Sequence, residues 1–370
     1  MKQTPGNDSR HGNRRTHPVL AISMGDMNGV GPEVILKMLP ELQRSNAGDN
    51  AGILLFASRE AMLYYARSVM PDMAPPGFLT DPPPTGLLYD DAFSFPSNCG
   101  DLPVPDPGKV LLIPSADDTV RVSPGSITAQ AGKLSMDAVS AGVDACLSGQ
   151  ADALITAPIS KEAISMAGFR VPGHTEFLAE RTGAKAVGMM LVNEAMRVGL
   201  VTIHIPLRKV PEEIGAGLIL ARLRLYREAL KNDFGIPRPR IAVLALNPHA
   251  GDGGVLGTEE LDIITPVLEE MRREGMDVTG PWPADGFFGS GGHKNVDMVL
   301  AMYHDQGLIP LKLAGFGGGV NVTAGLPIIR TSPDHGTAFS LAGKNRADQG
   351  SMLAAVTLAL DMIRRRTSTS

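Results

Sequence analysis

The chain has 370 residues, 43% hydrophobic and 20% charged, with a net charge of −5. That length suits two domains or one large α/β unit, and the mild acidity supplies no basic face for nucleic acid. Trp282 is the single tryptophan and aromatics make up 5% of the chain, which argues against base-stacking platforms. The two cysteines, Cys99 and Cys146, form no CxxC pair; cysteine-based zinc is excluded as a main feature, and a reduced, cytoplasmic setting fits.

Residues 1–17 are polar, carry Arg10, Arg14 and Arg15, and lack the apolar core of a secretory signal. They read as a disordered tail, which leaves His11 and His17 as bystanders. No uninterrupted apolar run reaches transmembrane length.

Residues 18–23 (PVLAIS) read as a buried strand, followed by the Gly-rich GDMNGVGPE at 25–33 and a helix from Pro32 to about Leu39. That succession opens a βα unit. A second strand at 52–57 and a helix at 58–69 follow. Residues 70–108 are dense in Pro and Gly and read as a surface excursion, because the strand-like KVLLIP resumes at 109–114. A helix at 129–148, a strand at 151–158 and a helix from Ser160 come next. Further strands are expected at 198–203, 240–246, 297–302 and 326–329, and helices near 174–182, 211–231, 258–273 and 350–365. Alternating β and α elements predict an α/β fold with a largely parallel sheet.

Four of the eight histidines sit at turn-like breaks: His174 in GHTEFLAERTG, His204 in VTIHIPL, His249 in LNPHAGDGG and His304 in MYHDQGL. Imidazole is a common metal ligand and titrates near neutrality, and parallel sheets bind ligands beyond the carboxyl ends of their strands. Spacing alone leaves open whether these rings converge or cap local structure. GDMNGVGPE has neither a GxGxxG pattern nor a Walker lysine, so it is a phosphate loop or simply a tight turn with Asp26 and Asn28 as turn formers. Lys312 and Arg330 lie in a Gly-rich, apolar segment, which suits a phosphate or carboxylate ligand as well as ordinary surface cations. The glycines within 315–319 allow close backbone approach to a ligand, or form a flexible loop.

The segments GHTEFLAERTG, MRVGLVTIHIPL, ALNPHAGDGG, YHDQGLIPLK, GVNVTAGLPIIRTSPDHGTAF and AGKNRAD together resemble the 4-hydroxythreonine-4-phosphate dehydrogenase family of vitamin B6 synthesis. The likeness runs from about residue 20 to 360. It implies the fold of isocitrate and isopropylmalate dehydrogenases: two α/β domains with a cleft between them, here 18–165 plus 341–370 and 166–340. It implies a divalent metal (Zn, Co or Mg) on His204, His249 and His304, and substrate contacts at His174, Thr175, Lys312, Asn321 and Arg330. Asp334, His335, Gly336, Thr337 and Ala338 resemble an NAD-binding loop, for NAD or NADP. A homodimer is implied, with one metal histidine supplied by the partner.

The implied reaction oxidises 4-phosphooxy-L-threonine at C3 and decarboxylates the product to 3-amino-2-oxopropyl phosphate, in pyridoxal phosphate synthesis. His174, Lys312 and Asp305, in that order, are the candidate proton acceptors. GDMNGVGPE departs from the family's frequent GEPAGIGPE, and the Pro-rich segment looks longer than usual. The loop difference keeps other substrates open, namely a phospho-threonate, a phospho-erythronate or a cis-dihydrodiol. Acyl transfer to phosphate, which needs neither NAD nor metal, is the reading from a different class.

Overall fold

The computed structural model describes residues 16–45, 51–69, 87–89, 102–115, 119–171, 173–315 and 317–369. Residues 1–15, Cys99, Phe316 and most of the Pro-rich segment lie outside them. His17 belongs to the ordered protein: its Nε2 lies 2.9 Å from the Pro105 carbonyl oxygen.

The first half contains β1 (Val19–Ser23), α1 (Gly31–Arg44), β2 (Gly52–Ala57), α2 (Arg59–Val69), β3 (Leu87–Tyr89), β4 (Val110–Pro114), α3 (Ala129–Leu147), β5 (Ala153–Thr156) and α4 (Lys161–Met166). Next come α5 (His174–Thr182), β6 (Gly188–Val192), β7 (Arg197–Leu200), α6 (Val210–Glu213), α7 (Ala216–Asn232), β8 (Arg240–Leu244), α8 (Thr265–Arg273), β9 (Asp277–Trp282) and α9 (Ala284–Gly289). The chain closes with β10 (Met298–Ala301), α10 (His304–Ala314), β11 (Val320–Ala324), β12 (Ile329–Pro333) and α11 (Gly350–Thr369).

These strands form one sheet in the order β3-β4-β2-β1-β5-β12-β11-β6-β7-β10-β8-β9. β1, β2, β4 and β5 are buried along their whole length, so they appear in the sequence as unbroken apolar runs. The sheet is α/β as expected but mixed in its middle: β12–β11, β11–β6 and β6–β7 pair antiparallel. β6, β9 and β11 were not foreseen, and the strand expected at 326–329 lies at 329–333. The residues after His304, expected as a turn, are helix α10. Thr128 and Ser160 cap α3 and α4 by accepting from Ala131 N and Ala163 N, each at 3.2 Å. α11 packs on β5, β11, β12 and α1. Tyr226 of α7 is buried beneath β6 and β7, where its one hydroxyl hydrogen is shared between the carbonyls of Met189 and Leu200 (both 3.0 Å). That contact braces the strand end that carries His204.

Among the described residues no helix is long and apolar enough to cross a membrane.

Candidate active site

The antiparallel insertion builds a polar floor. Asn321 of β11 stands opposite Ser332 of β12 and Leu191 of β6, and side chains directly opposite share a face. Alternation then places Thr323 and Arg330 on that same face. A cleft of about 760 Å³ opens over it, lined by Thr156, His174, Thr175, Asn321, Arg330 and Ser332 among others.

Arg330 is 2% exposed. Its Nη1 donates to Thr323 Oγ1 (3.0 Å) and its Nη2 to Thr156 Oγ1 (2.6 Å), while Nε has no partner. Among the described residues no carboxylate pairs with it, and burial pulls its pKa down to about 9. A buried cation without a counter-ion is costly, and a planar fork of donors suits phosphate or carboxylate. His174 opens α5 beside it. Burial, and secondarily the Arg330 charge, hold this imidazole well below its ordinary pKa, and its Nε2 is buried without a partner. Asn321 Oδ1 is likewise an unpartnered buried acceptor.

At the other side of the cleft, parallel pairing of β7 and β10 matches Leu200 with Ala301. The two chains stay in step beyond the strands, with Thr202 N and Oγ1 both donating to Met302 O (3.1 and 2.7 Å). His204 and His304 therefore arrive together, with ring centroids 5.6 Å apart. Burial, then the charges of Lys161 and His304, lower the His204 pKa against a smaller opposing effect of Glu176; the neutral ring favoured in this way is the ligating form. His304 Nδ1 lies 2.7 Å from Asp305 Oδ1, which leaves Nε2 for a ligand and makes Asp305 an orienting partner. Two such rings suit one divalent ion. His304, Leu308 and Lys312, spaced by four along α10, all line the cleft.

His249 is not brought to this pair within the chain. It is exposed on the turn Pro248–Gly254, and among the described residues no three His, Cys, Asp or Glu side chains stand close enough to hold a metal. From His249 to Gly253 the φ angles are 53, 52, 80, 45 and 66°, a left-handed turn. Three of these residues are not glycine, at a cost of roughly 1–2 kcal/mol each, and backbone strain of this kind gathers at functional sites.

Asp334, His335 and Gly336 line the same cleft. The loop continues to Thr337, whose carbonyl accepts from Val30 N (2.9 Å), and to Ala338, which has a φ of 42°. GDMNGVGPE thus backs the expected cofactor loop. Asn28 fastens it to a third loop, accepting from Ser123 N at Oδ1 and from Gly125 N at its carbonyl (both 2.8 Å). Asp26 and Asn28 are both buried, and Asp26 Oδ1 accepts from Asn28 N (2.9 Å), the turn-forming role expected of it.

The family described as "Pyridoxal phosphate biosynthetic protein PdxA" matches residues 97–359. A 4-hydroxythreonine-4-phosphate dehydrogenase of Chromobacterium violaceum is 43% identical over 343 residues, covering 92% of this chain and 96% of that one. The chain belongs to this family. The enzyme of that name from Prosthecochloris aestuarii is 41% identical over 92% of this chain and 96% of its own length. A solved family structure from Klebsiella pneumoniae superposes with a TM-score of 0.77 at 36% identity, over 95% of this chain and 99% of that one. A terephthalate 1,2-cis-dihydrodiol dehydrogenase from Burkholderia xenovorans gives 0.60 at 28% identity, over 93% and 98%. Family membership makes the chain a dehydrogenase.

Sequence reading missed Thr156, Lys161, Glu176, Arg222, Thr323 and Ser332. Five of these line the cleft, and Thr323 holds Arg330. The only local signal was a polar residue interrupting an apolar strand, as at Thr156.

Proposed function

We propose that the chain oxidises 4-phosphooxy-L-threonine at C3 with NAD or NADP and decarboxylates the product to 3-amino-2-oxopropyl phosphate, a cytoplasmic step of pyridoxal phosphate synthesis. The observation that carries this reading is Arg330, a buried guanidinium without a carboxylate partner among the described residues, in one cleft with the His204–His304 pair. Such a cation calls for an anionic substrate, and the relatives' names supply a phosphorylated one.

His204 and His304, with the partner subunit's His249, would hold one divalent ion (Zn²⁺, Co²⁺ or Mg²⁺), which would supply Lewis-acid stabilisation of negative charge on the substrate oxygen. Arg330 and Lys312 anchor the phosphate and carboxylate ends. Asn321 Oδ1 accepts from the substrate's amino group, and Thr175 adds a hydroxyl at the mouth of α5. Burial first, and the Arg330 charge second, keep His174 neutral. An anion seated on Arg330 offsets that repulsion, so the imidazole becomes the better acceptor for the C3 hydroxyl proton once substrate is bound. Asp334, His335, Gly336, Thr337 and Ala338 would hold NAD or NADP, which would supply the acceptor for the C3 hydride. The resulting β-keto acid then loses CO₂.

Homodimerisation is supported by exposed apolar side chains on the segments that carry the proposed ligands. These are Leu207 near His204, Val255, Leu256 and Leu261 near His249, and Ile309 and Leu313 near His304, with Val255 79% and Leu313 83% exposed.

A second reading, oxidation of a cis-dihydrodiol, draws on the likeness to the Burkholderia xenovorans enzyme. A substrate panel with NAD⁺ and NADP⁺, with and without chelator, decides between them. The proposal expects turnover of 4-phosphooxy-L-threonine and none of its dephosphorylated form. Turnover of dihydrodiols with phosphate dispensable would overturn it.

A further inference from the structure

One buried carboxylate holds the left-handed turn that carries His249. Glu260 opens a short π-helical turn, Glu260–Ile264, just before α8, and is 2% exposed. Its Oε1 accepts from Leu246 N and Asn247 N, both at 2.8 Å, at the point where the chain leaves β8. Its Oε2 accepts from Asn247 Nδ2 at 3.0 Å, and Asn247 Nδ2 also donates to Glu259 Oε2 at 2.7 Å. The middle of the turn lies close to the same group. A Cβ at Gly251 would stand 2.8 Å from Glu260 Oε2 and 2.9 Å from the Gly257 carbonyl. Leu256 N closes the turn on Gly251 O at 3.0 Å.

We infer that Glu260 is a positioning residue for His249: it clamps the entry and the centre of the left-handed turn, and so sets the direction in which the imidazole is presented. The inference rests on the reading of His249 as a metal ligand. A carboxylate suits the position because all its partners are donors. An amide keeps the two bonds at Oε1 but turns a donor toward Asn247 Nδ2. Relaxation of the turn would move the ring and cost the site one of its three ligands, while His204, just beyond β7, and His304, at the start of α10, stay in place.

The test is a Co²⁺ titration of the metal-stripped full-length protein, read by the visible absorption of the bound ion, which reports ligand number without turnover. Glu260→Ala is expected to weaken Co²⁺ binding at least tenfold and shift the spectrum toward that of His249→Ala. Glu260→Gln falls between Glu260→Ala and wild type, and Asp262→Asn, exposed on the same turn, binds like wild type. Gly251→Ala disturbs the clamp from the opposite side and decides the matter if Glu260→Ala does not fold. Wild-type Co²⁺ affinity and spectrum in folded Glu260→Ala or Gly251→Ala, with His249→Ala impaired, would overturn the positioning role alone. An unimpaired His249→Ala would overturn the metal reading beneath it.

Discussion

The imidazoles of His204 and His304 lie with ring centroids 5.6 Å apart because the strands they follow pair in parallel register. His204→Ala and His304→Ala are expected to abolish metal-dependent turnover. Asp305→Asn, which weakens the hold on His304 Nδ1, should reduce metal affinity by about tenfold. Metal titrations followed by NAD(P)H formation check both; an Asp305→Asn protein with wild-type metal affinity would remove its orienting role.

Arg330→Met leaves an apolar chain of similar reach where a buried cation stood, and frees the Thr156 and Thr323 hydroxyls it bonded. The unliganded protein should keep its Tm or gain slightly, since the burial cost of the charge disappears. The KM for the phosphorylated substrate should rise by roughly 30-fold or more, corresponding to about 2 kcal/mol. Thermal shifts with and without substrate separate the two effects. A large loss of Tm without ligand would make Arg330 a structural residue.

Burial pushes the Asp26 carboxyl up to about 6 from its ordinary 3.8, only partly offset by the hydrogen bond from Asn28 N. The folded state therefore holds this proton more tightly than the unfolded chain. The group imposes no penalty below pH 3.8, and stability falls as pH rises through about 6. Asp26→Asn should be more stable than wild type at pH 8 by on the order of 1–3 kcal/mol, the lower figure allowing for an amide N–H₂ without a partner. The difference should close near pH 4. Chemical denaturation at the two pH values measures it; equal differences at both would contradict the assignment.

A Cβ at Gly29 would stand 2.9 Å from the Thr337 carbonyl and 3.1 Å from its Cβ. Gly29→Ala should thus displace the proposed cofactor loop, raising the KM for NAD(P)⁺ by about tenfold, near 1.4 kcal/mol, while Co²⁺ affinity stays at the wild-type value. Steady-state kinetics with varied cofactor test this, and a change confined to the KM of the other substrate would contradict it.

Strands buried on both faces, such as VLAIS and GILLFA, announce themselves as apolar runs, and α5 begins at His174 as the sequence suggests. β11 is short, and Asn321 and Thr323 interrupt its apolar run at alternate positions, the pattern of a strand with one polar face. That same interruption is what makes the strand functional. His204 and His304 were legible as strand-end histidines, but their meeting depends on the pairing of strands about a hundred residues apart. The left-handed turn at His249 was not legible at all, since the carboxylate that holds it comes from the start of the next helix.

The proposed reaction is an oxidative decarboxylation at a phosphate-reading, metal-dependent site. The most direct measurement is the stoichiometry of NAD(P)H and CO₂ released from 4-phosphooxy-L-threonine by metal-stripped and metal-restored protein. The account predicts equal amounts of both, lost on chelation and regained with Zn²⁺, Co²⁺ or Mg²⁺. NAD(P)H without CO₂, or undiminished release of both after chelation, would contradict it.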